Sequence, residues 1–155
     1  MRFRYKGLPV ETFRPLWYLG DAALAERGIQ RVIADAKPGF PCRVTLEDAE
    51  FGESLLLLSH QHQPASSPYR SSGPIFVRET AQETFDRVGT VPPVLRGRLL
   101  SLRAYDREGI MIDADIVEGN EVEGLLQRLF ARDETDIVHV HNARRGCYAC
   151  SVERA

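Results

Sequence analysis

The sequence predicts an α+β fold of one domain with a largely antiparallel sheet. Three observations carry this. Strand-like segments cluster: Leu99 to Tyr105 is followed at once by Ile110 to Val117, and Asp136 to Asn142 by Tyr148 to Val152. One long stretch late in the chain, about 120–132, carries helical spacing through Val122, Leu125, Leu126 and Leu129. Helices and strands do not alternate as a βαβ chain would require. The 155 residues, 43% hydrophobic and 27% charged, suit a single core without disulfides or metal.

Taken in order, Leu24 to Arg27 lies in a short N-terminal helix, with Asp21 as its cap and Gly28 as its stop. Gln30 to Ala34 alternates weakly, as a strand does. Pro38 to Pro41 forms a rigid turn leading into the strand-like Cys42 to Leu46. Glu53 to Ser59 reads as a strand buried on both faces, because leucine occupies both parities. His60 and His62 then end that strand and enter a loop, Gln63 to Gly73, rich in proline and serine. Ile75 to Val77 is a short strand opened by Pro74, and Val91-Pro92-Pro93 breaks the chain again. Asp106 to Gly109 turns one hairpin, and Ala143 to Gly146 lies in the turn of the last.

Composition excludes several function classes. The formal net charge is -2 and the isoelectric point is near 6.1, so no overall field recruits nucleic acid. The longest apolar run, Leu55 to Leu58, is far short of a membrane span. Met1 to Lys6 carries charge without the apolar stretch of an export signal. Three cysteines in a chain without such a signal are expected to be reduced thiols in a cytoplasm. All but two of the 20 basic residues are arginine, whose planar fork grips carboxylates and phosphates.

The chemistry concentrates in a few places. All four histidines sit in two His-x-His pairs, His60-Gln61-His62 and His139-Val140-His141. On a strand, residues i and i+2 share a face, so each pair points two imidazoles the same way. The second pair runs into Asn142 and a turn of arginines that ends at Cys147. A four-residue loop in that hairpin sets His141 opposite Tyr148 and His139 opposite Cys150; a five-residue loop sets His141 opposite Cys147. Only the second builds a cysteine–histidine couple, with Asn142 as orienter. The candidate catalytic residues are therefore His139, His141, Asn142 and Cys147. Cys147 and Cys150 also form a C-x-x-C, but in a strand they point to opposite faces.

Three arginines, Arg43, Arg78 and Arg103, sit in apolar strand-like surroundings. Such an arginine pairs with an internal carboxylate (Glu47, Glu79 or Asp106) or grips an anionic ligand. With Tyr69 and Arg70, beside Ser71-Ser72-Gly73 as a candidate anion nest, they are the candidate ligand-binding residues. No cofactor is called for. A metal on His60, His62, His139 and His141, completed by Cys42, Cys147 or a carboxylate, is the alternative that lacks a full signature. Asp113 and Asp115 form one more same-face pair, read as a solvated strand face.

The segments Pro41-Cys42-Arg43, Gly73 to Glu79, Arg103-Ala104-Tyr105, His139 to Ala143 and Gly146-Cys147 together resemble the DUF1203 family, a group of small bacterial proteins. The resemblance implies a bacterial, single-domain protein and brings no activity with it. The functional expectation rests on the residues: a small enzyme or binder of an anionic small molecule. The alternatives are a non-catalytic binding or regulatory module, with the Tyr69 loop as docking surface, and a metal-binding protein.

Overall fold

Two antiparallel sheets and three helices make up the computed structural model, which describes residues 1–155. The chain runs β1 (Phe3–Lys6), α1 (Val10–Trp17), α2 (Asp21–Glu26), β2 (Gln30–Ile33), β3 (Ser54–Gln63), β4 (Ser71–Arg78), β5 (Asp86–Val88), β6 (Leu99–Tyr105), β7 (Met111–Glu118), α3 (Val122–Phe130), β8 (Ile137–Asn142) and β9 (Tyr148–Arg154). The larger sheet has the order β5-β1-β9-β8-β6-β7, and the smaller β2-β3-β4. Every pairing of named strands is antiparallel. The α+β class and the late helix, a 3-10 turn at Gly119–Glu121 running into α3, agree with the sequence reading. No helix is long and apolar enough to cross a membrane.

The period of each element decides what it buries. On α3, Val122, Leu125, Leu126, Leu129 and Phe130 form one buried stripe. It packs on Leu100, Leu102, Val138, Val140 and Val152 of the larger sheet. Because side chains alternate along β8, burying Val138 and Val140 under α3 sends His139 and His141 to the opposite face. The smaller sheet covers that face: His62 of β3 stacks on Tyr148 of β9. The smaller sheet has its own core, in which Leu56, Leu58, Ile75 and Val77 meet Val10, Phe13 and Leu24 of the two N-terminal helices.

Several local expectations are corrected. Helix α1, which the sequence reading did not include, carries Pro15 and buries Val10 and Phe13, with Leu16 and Trp17 packed against the same core. The short helix α2 is as expected, except that Gly20 stands at the cap position and Asp21 is the first helical residue. Cys42 to Leu46 is not a strand. Two isolated bridges, Pro41 to Asp48 and Cys42 to Phe76, hold a tight turn there instead. Strand β3 continues through His60 and His62 to Gln63, and β4 begins at Ser71. Ser71-Ser72-Gly73 is therefore strand and forms no anion nest. The β3–β4 pairing slips between His60 and Gln63, an irregularity that accommodates the polar residues at that end. Strands β1 and β5, four and three residues long, are too short to show a period.

Candidate functional site

The β8–β9 hairpin settles the register question. The Asn142 N–H donates to the Cys147 carbonyl at 2.8 Å, and His141 stands opposite Tyr148. Gly146, at φ +80°, closes the turn in a left-handed conformation that favours glycine. Its carbonyl accepts a hydrogen bond at 2.9 Å from His141 Nδ1. Beyond His141 the register shifts by one residue, so Val140 pairs with Cys150 and His139 with Ser151. The expected His139–Cys150 opposition is thus corrected, and the cause is the extra residue Ala149. Without this bulge Tyr148 and Cys150 would share a face. With it, Ala149 and Cys150 both enter the α3 core while Tyr148 turns to the histidines.

Two polar clusters result, one on each side of the turn. The first is histidine-rich. His62, His139 and His141 each offer a ring nitrogen, and the three atoms lie within 4.8 Å of one another. Tyr148 stacks flat on His62 with centroids 5.5 Å apart, and Tyr105 packs against His139 at 4.9 Å. Burial pulls the pKa of His139 down to about 4 and of His141 to about 3; burial also lowers that of His62. Nearby positive charge from Arg103 adds to each effect. The rings of His139 and His141 are therefore neutral near pH 7. Arg103 stands cross-strand from His139, on the same face.

The second cluster surrounds Cys147. Arg43 is 2% exposed, yet no carboxylate pairs with it. Its Nε donates to the Tyr148 carbonyl at 2.7 Å and its Nη1 to the Pro41 carbonyl at 2.5 Å. Its Nη2 donates to Cys147 Sγ at 3.1 Å, and Asn142 Nδ2 does so at 3.4 Å. Burial lowers the pKa of this guanidinium, since the charged form loses water; the cysteine sulfurs oppose that. Cys147 opens on a cleft of about 370 Å³ whose charged lining is Arg43, Arg98, Arg144, Arg145 and Glu118. Arg98 is held by both carboxylate oxygens of Asp48, at 2.7 and 3.0 Å. Arg144 and Arg145 are exposed and make no ion pair.

A family model described as a protein of unknown function (DUF1203) matches residues 39–154. The chain belongs to the DUF1203 family. No curated protein and no solved structure matches it. The matched span of this DUF1203 chain contains both clusters.

The structure brings Asn142, Cys147 and Arg43 together in one cluster, and His139, His141 and His62 in the other. His141 gives its Nδ1 to Gly146 and faces Tyr148 in register, so it forms no direct cross-strand couple with Cys147. His60, half-buried beside Tyr148, stands outside the three-histidine group. Arg78 is engaged by Glu53, with Nε at 2.8 Å and Nη2 at 2.5 Å, and by Glu47 at 3.3 Å. Of the expected carboxylate partners, only Glu47 meets one of the three strand arginines; Glu79 binds Arg31, and Asp106 caps its own hairpin turn. Tyr69 is exposed and meets Tyr105 edge-on, while Arg70 is exposed with no side-chain partner. Cys150 is fully buried, which pushes its thiol up to about 12. Cys42 is equally buried, its sulfur facing the N–H groups of Val44, Thr45 and Arg78. Asp115 pairs with Arg128 at the surface, and Asp113 bonds the next backbone N–H. Arg98 is the residue that sequence reasoning missed, although Arg96-Gly97-Arg98, between two breaks, was a signal for it. Tyr148 was expected opposite His141 in the four-residue-loop register and stands there; its stacking on His62 had no signal in the sequence.

Proposed function

We propose that this protein binds a small anionic molecule in the Cys147 cleft, with the Cys147 sulfur as its reactive group. One observation carries the reading: Arg43 is buried without a carboxylate and gives an N–H to Cys147 Sγ. A buried cation costs several kcal/mol unless it is compensated. Two backbone carbonyls compensate part of it, and the Cys147 sulfur is the third acceptor of its N–H groups. Thiolates form where cations and N–H donors face the sulfur. Arg144 and Arg145 then supply unpaired positive charge at the mouth, where an anion arrives. The same arrangement supports a small enzyme with a cysteine nucleophile. A binding-only module is the second reading, favoured by the internal pairing of Arg78 and Arg98.

Competing alkylation tests the reading. Cys147 is expected to react with anionic iodoacetate relative to neutral iodoacetamide at a higher ratio than N-acetylcysteine does. The ratio is expected to fall to that of the free thiol in an Arg144→Ser, Arg145→Ser double variant. A wild-type ratio at or below the free-thiol value would remove the anion cleft. A Cys147 no faster than free thiol toward iodoacetamide would remove the reactive sulfur.

A further inference from the structure

The three-histidine cluster lies apart from the Cys147 cleft and is built differently. His62 Nδ1, His139 Nδ1 and His141 Nε2 are all buried and all lack a hydrogen-bond partner. His139 and His141 are 5% and 1% exposed. A buried polar atom left unpaired is destabilising, and here the three residues that carry such atoms gather in one cluster. No protein group pairs with them.

The other nitrogens are differently placed. His141 Nδ1–H donates to the Gly146 carbonyl at 2.9 Å, which leaves Nε2 with its lone pair. His62 Nε2 stands 3.1 Å from Ser71 Oγ; in the tautomer that donates Nε2–H to that oxygen, Nδ1 keeps its lone pair. A ligating imidazole is held in this way: the remote N–H donates to an oxygen and the near nitrogen faces the metal. The backbone supports the geometry. His139 and His141 come from one face of β8, and His62 from the end of β3 on the facing sheet. Two rings on one strand and a third from across the gap form a three-sided cage.

We propose that His62, His139 and His141 bind one divalent transition-metal ion, zinc by their chemistry, and leave a coordination position open. Imidazole is a borderline donor that suits zinc and its neighbours. Three protein ligands plus one open position is the arrangement of reactive zinc sites, whereas structural sites use four. Tetrahedral zinc with bonds near 2.0–2.1 Å brings its donors to roughly 3.4 Å from one another, so ring rotations of about 1 Å close the cage. A cavity of about 350 Å³ reaches His62 and His139 from the side of Asp106, Asp136 and Ser151, giving the open position a route to solvent. Arg103, beside the cluster, opposes a bare cation and favours an anionic fourth ligand, such as hydroxide.

Metal titration of the full chain without an affinity tag tests this. After treatment with chelator, Zn²⁺ and Co²⁺ are expected to bind at one equivalent. Co²⁺ is expected to give visible bands of a four-coordinate nitrogen site. Zinc is expected to raise the melting temperature of the wild-type protein, a readout that needs no variant to fold. His62→Gln, His139→Gln and His141→Gln are each expected to weaken binding by on the order of a hundredfold or more. His60→Gln and Cys147→Ser are expected to bind as wild type, since His60 stands outside the cage and Cys147 belongs to the other cluster. A wild type that takes up no metal and melts unchanged would overturn the assignment. Binding that survives His139→Gln and His141→Gln, or is lost in Cys147→Ser, would do the same.

Discussion

Arg43 shows how much a single side chain can hold in this molecule. Its three N–H groups go to the Pro41 carbonyl, the Tyr148 carbonyl and Cys147 Sγ, so one fork ties the 41–46 turn to β9. Lysine is a point charge on a flexible stem and cannot reach three acceptors in those directions. Arg43→Lys is therefore expected to cost about 1–3 kcal/mol in urea unfolding, because at least one buried carbonyl loses its donor. The same change is expected to slow alkylation of Cys147, since the donor to sulfur is lost. Unchanged alkylation in a folded variant would show that Arg43 serves packing alone. The sequence singled out Arg43 and Cys147 separately. It offered no way to see them meet, because they lie 104 residues apart and their contact depends on the turn at Pro41.

At the scale of elements, two backbone devices position everything else. The Ala149 bulge turns Cys150 into the core while Tyr148 stays on the side of the histidines. The turn from β7 into α3 depends on a close approach at Gly119. Its N–H donates to the Arg98 carbonyl at 2.8 Å, and a Cβ there would lie 1.7 Å from the Leu95 carbonyl oxygen. The obstacle is backbone, so the helix start itself must shift. Gly119→Ala is expected to destabilise by about 1–3 kcal/mol or more, read as a lower urea midpoint. A midpoint within error of wild type would show that the β7–α3 junction yields easily. Helix α3 itself was legible, because its stripe recurs at 3.6 residues. The bulge was not, because one extra residue in a strand of seven leaves no mark on a two-residue period.

For the molecule as a whole, ion pairs fix the smaller sheet to the loops around it. Arg78 of β4 holds Glu53 beside β3, and Thr80 and the Glu50 N–H also donate to Glu53. Glu47 sits on the other side of the same guanidinium, and Arg31 pairs with Glu79 nearby. The hydrogen bonds from Arg78 hold the Glu53 carboxyl down at about 2, against an ordinary value of 4.5. A depressed folded pKa gives stability that is present above the unfolded value and lost as pH falls toward the folded one. Glu53 is thus expected to withdraw about 1–3 kcal/mol of stability between pH 4.5 and about 2. Glu53→Gln is expected to be less stable at neutral pH and to flatten the acid limb of the stability curve. An acid limb of equal steepness in the variant would assign it to other carboxylates.

Patterning alone determined the α+β class, the late helix, the last two hairpins and the residue types able to do chemistry. These are local or short-range facts: a period of two or 3.6, a turn between two strands, a histidine two residues from another. Tertiary structure alone decided which chemistry-bearing residues meet. His60 and His62 read as a strand running out into a loop, yet β3 continues and carries His62 across to β8. The four histidines divide three to one, a division no spacing announces. Arg43 and Arg78 looked alike in sequence; one is paired with carboxylates and the other is left to a sulfur. The physical reason is common to all three. A side chain's face is set by its own strand, but its partner is set by how two sheets stack, and neither that stacking nor the one-residue bulge at Ala149 shows in the spacing of a motif.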